Sequence, residues 1–170
     1  LITYARSTGK RIIWSPALLT SYGFSAMQKY AAHVDYLILN KQEANLLTSM
    51  DDGVKACSKI SNSLNRRNAV VVTLGEEGCV LCTDRNSVVI PPLDLASLSD
   101  LEILSTVGAG DTFVGAFGAF KLKGFEDTPA LHLANIAAGL KTTRADTRGS
   151  PTLEEIKRYT YELDKKTGPL

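Results

Sequence analysis

Short apolar blocks separated by polar and glycine-rich turns run along the whole chain, and their spacing alternates between strand and helix periods. Residues 1–7 read as the tail of a helix that Gly9 ends, and 11–14 as a short buried strand stopped by Ser15-Pro16. Phe24, Met27, Tyr30 and Ala31 predict a helix over 24–33, and a second apolar strand over 35–39 ends at Asn40. A short helix over 43–47 precedes a longer one over 54–64, with Val54, Cys57, Ile60 and Leu64 on one stripe. The β-branched run 69–73 predicts a strand, and the turn Gly75-Glu76-Glu77-Gly78 follows it. Residues 79–83 and 87–90 read as a hairpin around Asp84-Arg85-Asn86, ended by Pro91-Pro92. The stretch 93–101 carries no decisive pattern, and 102–104 is a short extended piece. Helices over 110–123 and 129–143 are apolar nearly all round, as helices buried beside a sheet are. A last helix over 152–165 opens with Thr152 and Glu155 at capping-box spacing and carries Leu153, Ile156, Tyr159 and Leu163 on one face. Strands alternating with helices, without repeats or low-complexity linkers, predict one α/β domain with a largely parallel sheet flanked by helices.

Composition narrows this picture. A length of 170 residues with ordinary apolar and charged fractions suits one soluble domain with a sizeable core. The net charge of +1 gives no argument for a nucleic-acid or acidic-membrane surface. The pairs Arg66-Arg67 and Lys165-Lys166 read as solvated faces, and no apolar run is long enough to predict a membrane span. Three cysteines, an odd number, argue against a disulfide framework and for a reducing, cytoplasmic setting. Cys79 and Cys82 have CxxC spacing, but in a strand-like run that points them to opposite faces, with no second pair and no nearby histidine. They read as small buried residues. His33 and His132 lack ligand-like spacing, and Trp14 reads as core or rim.

Four places carry candidate chemistry. Thr106-Val107-Gly108-Ala109-Gly110-Asp111-Thr112-Phe113 sets two glycines and an acid at the mouth of a buried helix. Backbone N–H groups there lack helical partners and lie at the positive end of the dipole, and glycines let an anion come close. Asp111 could then accept a proton from a hydroxyl that attacks a phosphate, or be an ordinary helix-start acid. The GxGxxG and Walker patterns both fail, because Phe113 stands where the third glycine would fall and no Gly-Lys-Ser/Thr follows. Asn40 and Glu43, three apart at a strand end, can hold a hydrated Mg²⁺ or simply start a helix. Thr73, Gly75 and Gly78 suit a nucleotide's phosphates and sugar or a tight connection between strands. Asn135, an amide in an apolar helix, faces either a base or a neighbouring backbone group. Asn40, Gly75 and Gly108 all fall at or just after strand carboxyl ends, where ligands of parallel sheets bind.

In this order the motifs form a recognisable series. Asn40-Lys41-Gln42-Glu43, then Val72-Thr73-Leu74-Gly75-Glu76-Glu77-Gly78, then Thr106–Phe117, then the helix around Asn135 followed by Gly149-Ser150-Pro151 resemble the carboxyl-terminal half of the ribokinase-like (PfkB) family of sugar and nucleoside kinases. The resemblance covers nearly all 170 residues. It implies a ribokinase-like three-layer fold, incomplete here, with 1–170 as the nucleotide-binding and catalytic part of a single kinase domain. It implies ATP and Mg²⁺ as cofactors and a small-molecule sugar or nucleoside as substrate, with no nucleic-acid or membrane partner and a homodimer left open. By that resemblance Asp111 is the catalytic base and Gly108, Ala109 and Gly110 form the anion hole. Asn40 and Glu43 organise Mg²⁺, Thr73, Gly75 and Gly78 line the nucleotide phosphates and ribose, and Asn135 lies near the base. Two departures stand out. Many members hold a monovalent cation with an Asp six positions before the catalytic one, where this chain has Ser105, so a K⁺ requirement is open; pseudouridine-kinase-like members often lack that Asp as well. The family's lid and glycine-rich sugar loop have no counterpart here, so a fragment or split chain is expected. An ATP-dependent kinase is the leading expectation and a catalytically inactive, binding or structural relative the alternative. The failed fingerprint argues against a dinucleotide-dependent oxidoreductase.

Overall fold

The β-branched run at residues 69–73 lies at the centre of a five-stranded sheet. The computed structural model describes residues 1–64, 68–94 and 101–167, which form two compact units, Leu1–Ile90 and Pro91–Leu170. In the first, strands β1 (Ile13–Trp14), β2 (Tyr36–Asn40), β3 (Ala69–Thr73), β4 (Cys79–Cys82) and β5 (Ser87–Ile90) lie in sequence order across the sheet. β1, β2 and β3 are mutually parallel, and the β4–β5 hairpin continues the sheet antiparallel from β3. Helix α1 (Ile2–Ser7) precedes β1, α2 (Phe24–Ala31) lies between β1 and β2, and α3 (Lys41–Thr48) and α4 (Gly53–Asn62) lie between β2 and β3.

Alternation along the strands builds the core. Leu37, Leu39, Val70, Val72, Val80 and Cys82 join Met27 and Ala31 of α2, Ala44 of α3, and Ala56, Cys57 and Ile60 of α4 in one buried cluster. Ile38 and Val71, which alternate with them, are buried as well, as both faces of a parallel strand usually are. Asp52 caps α4 by accepting from the N–H groups of Val54 and Lys55, each at 3.0 Å.

Several boundaries differ from the expectation, and in the first unit the differences include the following. β1 begins only at Ile13, because the Ile12 amide donates to Asp35 Oδ2 at 2.7 Å and its carbonyl accepts from Asp35 and Tyr36. A 3₁₀ helix, Ala17–Tyr22, follows Pro16 where no element is expected. α3 starts at Lys41 rather than at residue 43, because Asn40 itself caps it.

The second unit is helical. α5 (Ala109–Leu122) and α6 (Asp127–Thr142) pack along each other, and α7 (Leu153–Thr167) packs on α6. Phe113, Phe117, Phe120, Leu131, Ile136, Leu140 and Ile156 are buried. Gly139 leaves room for Leu93, whose side chain lies 2.9 Å from where a Cβ would stand. The short α5–α6 link is held by Lys121, which pairs with Asp127 Oδ1 at 2.7 Å and donates to the Phe125 carbonyl at 2.7 Å. Residues 102–104 form no strand; instead the amides of Leu104 and Ser105 both donate to the Thr142 carbonyl at the end of α6. Arg66 and Arg67, and most of the unpatterned stretch 93–101, lie outside the described residues.

Candidate functional site

In the first unit the parallel register makes Asn40 and Thr73 direct partners at the carboxyl ends of β2 and β3. Asn40 is exposed and turns straight into α3. Its side-chain oxygen accepts from the Glu43 amide at 2.8 Å, and Glu43 Oε2 accepts from the Asn40 amide at 2.9 Å. This is a reciprocal capping box. Asparagine caps a helix as well as serine does, so the spacing read at Thr152 and Glu155 applies to Asn40 and Glu43 too, a signal the sequence reading missed. One oxygen of each side chain is used. Among the described residues Glu43 Oε1 and the Asn40 amide nitrogen bond nothing further.

The glycine turn sits beside this box. Lys41 Nζ pairs with Glu77 Oε1 at 3.0 Å, tying the first turn of α3 to the 3₁₀ turn Gly75–Glu77. That hydrogen bond, with the Glu77 charge, holds the Lys41 ammonium above its ordinary pKa, though both groups are solvated and the pair adds little stability. Gly75 and Gly78 adopt φ of 67° and 88°, conformations that side chains resist, and the Leu74 amide closes the turn on the Gly78 carbonyl at 2.8 Å. The Thr73 hydroxyl donates to the Leu39 carbonyl at 3.5 Å.

In the second unit Gly108 caps α5 at φ 81°, ψ 0°. The Thr112 amide donates to the Gly108 carbonyl at 2.9 Å, and the Ala109 amide donates to the Thr106 carbonyl at 3.2 Å. Among the described residues the amides of Gly108, Gly110 and Asp111 meet no acceptor, and the exposed Asp111 carboxylate makes no hydrogen bond or ion pair. A Cβ on Gly108 would lie 2.9 Å from the Thr147 carbonyl oxygen and 3.5 Å from Lys141 Cε. The loop after α6 thus wraps the start of α5. The hydroxyls of Thr112 and Ser150 meet at 2.8 Å, and Arg144 Nη1 donates to the carbonyls of Gly149 and Ser150 at 3.1 and 3.2 Å. The Gly149-Ser150-Pro151 part of this loop belongs to the motif series read in the sequence, whereas Lys141 is not singled out by residue type, because a lysine near a helix end usually reaches solvent.

Asn135 is buried and its Nδ2 donates to the Pro91 carbonyl at 2.8 Å, so the amide has a backbone partner within its own unit. The cysteines occupy core positions. All three are buried and none forms a disulfide, and Cys82 but not Cys79 belongs to the α4-facing cluster, as opposite faces require. The hydrogen bond shared with Cys82, together with burial, pushes the Cys57 thiol well up, which suppresses thiolate chemistry. No group of His, Cys, Asp and Glu side chains that could hold a metal ion occurs among the described residues. No described helix is long and apolar enough to cross a membrane.

Residues 1–153 match the model of the pfkB family carbohydrate kinases. The chain belongs to that family. Among its pfkB relatives, the deoxyribokinase of Salmonella typhi is 26% identical over 166 residues, covering 93% of this chain and 50% of the relative. The ribokinase of Lactococcus lactis is 30% identical over 132 residues, 77% of this chain and 40% of the relative. The pfkB chain therefore spans about half the length, or less, of these relatives. Solved structures agree on the fold. The ribokinase of Arabidopsis thaliana, complexed with ribose and ATP, superposes with a TM-score of 0.79 at 21% identity, over 93% of this chain and 50% of that one. A nucleoside kinase of Burkholderia thailandensis in complex with inosine gives 0.75 at 19% identity, over 99% and 52%. The resemblance carried by the Asn40, Thr73 and Gly108 motifs is thus borne out at the level of family and fold.

Proposed function

We propose that this chain carries the nucleotide-binding and catalytic part of an ATP-dependent phosphotransferase that acts on a hydroxyl of a sugar or nucleoside. The observation that carries the reading is the start of α5. Among the described residues three amides there have no acceptor and the Asp111 carboxylate has no hydrogen-bond or ion-pair partner, and Gly108 leaves room where a Cβ would clash. Free amides at a helix start fit a phosphoryl group, whose charge they meet without reorganising. Asp111, beside them, accepts the proton of the attacking hydroxyl. Because the Ala109 amide is bound to Thr106, the donors are those of Gly108, Gly110 and Asp111, and Ala109 serves by shaping the turn.

The remaining candidates bind and orient. The free Glu43 oxygen, held by the capping box with Asn40, fits the hydrated Mg²⁺ that accompanies ATP, and the free Asn40 amide nitrogen can donate to a phosphate oxygen of the same Mg²⁺-bound group. When bound, Mg²⁺ neutralises phosphate charge during transfer. Thr73, Gly75 and Gly78 line the nucleotide's phosphates and ribose, and Asn135 stands near the base while its Nδ2 stays fixed to Pro91. The names of the relatives and the ribose and inosine of two solved neighbours support sugars and nucleosides as the substrate class.

The test is to assay the full-length protein with ATP and Mg²⁺ against a panel of sugars and nucleosides, beside Asp111→Asn. Turnover on at least one substrate is expected, with kcat lower by at least about a hundredfold in the variant and ATP affinity kept. ATP binding without turnover on any substrate would overturn the reading in favour of a non-catalytic member with a binding role.

A further inference from the structure

We propose that Lys141 supplies, from inside the fold, the positive charge of the α5 anion site, so that this site works without a monovalent cation. The inference rests on the phosphotransferase reading above. Lys141 lies in the last turn of α6 and has 0% of its surface exposed. Among the described residues there are two buried lysines, and they are treated differently. Lys121 has Asp127 as its counter-charge, whereas Lys141 has no carboxylate within ion-pair distance and donates only to the Arg144 carbonyl at 3.3 Å. One of three ammonium protons is accounted for. The carbonyl end of α6 offsets part of the charge, but a helix terminus compensates only a fraction of the desolvation of a fully buried ammonium. The missing counter-charge must come from an anion that binds.

The location names that anion. Lys141 Cε approaches to 3.5 Å of where a Gly108 Cβ would stand, directly behind the turn that presents the free amides of Gly108, Gly110 and Asp111. A phosphate held by those amides is the nearest place for negative charge to collect. Ser105 completes the argument. Its amide donates to the carbonyl of Thr142, the residue after Lys141, and its hydroxyl accepts from the Val107 amide at 3.3 Å. An aspartate at 105 would bring a carboxylate to this corner and neutralise the ammonium. The neutral serine leaves the charge available to the ligand. The same residues do not fit a monovalent cation, since an added K⁺ would meet a buried ammonium and no carboxylate. Lys141 acts through the Gly108 turn, so it is a positioning residue rather than a catalytic one.

The test uses the full-length protein and measures MgATP affinity by calorimetry, with K⁺ exchanged for choline at constant ionic strength. Wild-type affinity is expected to be the same in both. Lys141→Met, which keeps the length and packing and removes the charge, is expected to bind ATP at least about tenfold more weakly, and K⁺ or ammonium is expected to restore part of the loss. A purely structural lysine would lower thermal stability without creating cation dependence. Wild-type binding that strengthens with K⁺, or a folded Lys141→Met that binds ATP as wild type does, would overturn the proposal. If the variant does not fold, the wild-type cation titration alone decides. Cation-independent ATP binding without turnover removes the kinase reading and leaves this one standing, and an absence of ATP binding removes both.

Discussion

Gly108 shows how a single backbone angle sets up the site. At φ 81° a side chain is strained, and the Cβ would in addition press on a backbone carbonyl 2.9 Å away that cannot swing aside. Gly108→Ala is therefore expected to lower stability by about 1–3 kcal/mol and to weaken ATP binding, as a melting curve and a binding isotherm would report together. Gly110 imposes no such limit, since nothing lies within 4 Å of its Cβ position, so Gly110→Ala should cost little stability. Two glycines that look equivalent in sequence thus have different reasons to be glycine. The pattern of residue types identifies the turn, while the positive φ and the facing Thr147 carbonyl come from a loop almost forty residues later, which no local pattern encodes.

Among elements, helix starts are the most informative. α3 and α7 both begin with reciprocal capping boxes, Asn40 with Glu43 and Thr152 with Glu155. In the second, Glu155 Oε2 accepts from the Thr152 amide at 2.7 Å and the hydroxyl at 2.9 Å, while Oε1 accepts from Arg144 Nη2 at 2.5 Å. The Thr152 amide and hydroxyl, and then the Arg144 charge, hold the Glu155 carboxyl below its ordinary pKa. A depressed carboxyl adds stability above its unfolded value, about 4.3, and that contribution disappears as pH falls through the folded value. Thermal melts followed from neutral pH downward should thus show Glu155→Gln less stable than wild type at neutral pH, with the gap closing below about pH 4. Thr152→Ala should cost about 1 kcal/mol at neutral pH. Helices and strands with strong periodicity, such as β3 and α5, are legible in sequence to within a residue or so. β1 is not, because its boundary is set by Asp35, a side chain from the neighbouring strand's approach. Lys141 is not, because its burial depends on how α6 meets the segment at 104–108.

For the molecule as a whole, the family and the order of its motifs were readable because each motif sits where strand meets helix and needs particular small or polar residues there. What holds those residues to one another was not, because register partners such as Asn40 and Thr73 and the ion pair of Lys41 with Glu77 join places over thirty residues apart. Burial of all three thiols gives a probe of overall integrity. Cys57 and Cys79 have 0% of their surface exposed and Cys82 2%. A thiol reagent should react with none of them at a rate above that of opening of the unit, and with all three once denaturant unfolds it. The solitary Asp111 carboxylate has a different consequence. Nearly every other candidate residue is wired into the fold by a capping bond, a strained turn or a buried contact, so its loss would show as a poorly folded protein. Asp111 is not, and its replacement by asparagine should leave folding, expression and nucleotide occupancy intact. On the phosphotransferase reading proposed above, a cell carrying that single change would hold a normal amount of a protein that still binds ATP but turns it over at least about a hundredfold more slowly, so abundance and output of this chain would be uncoupled.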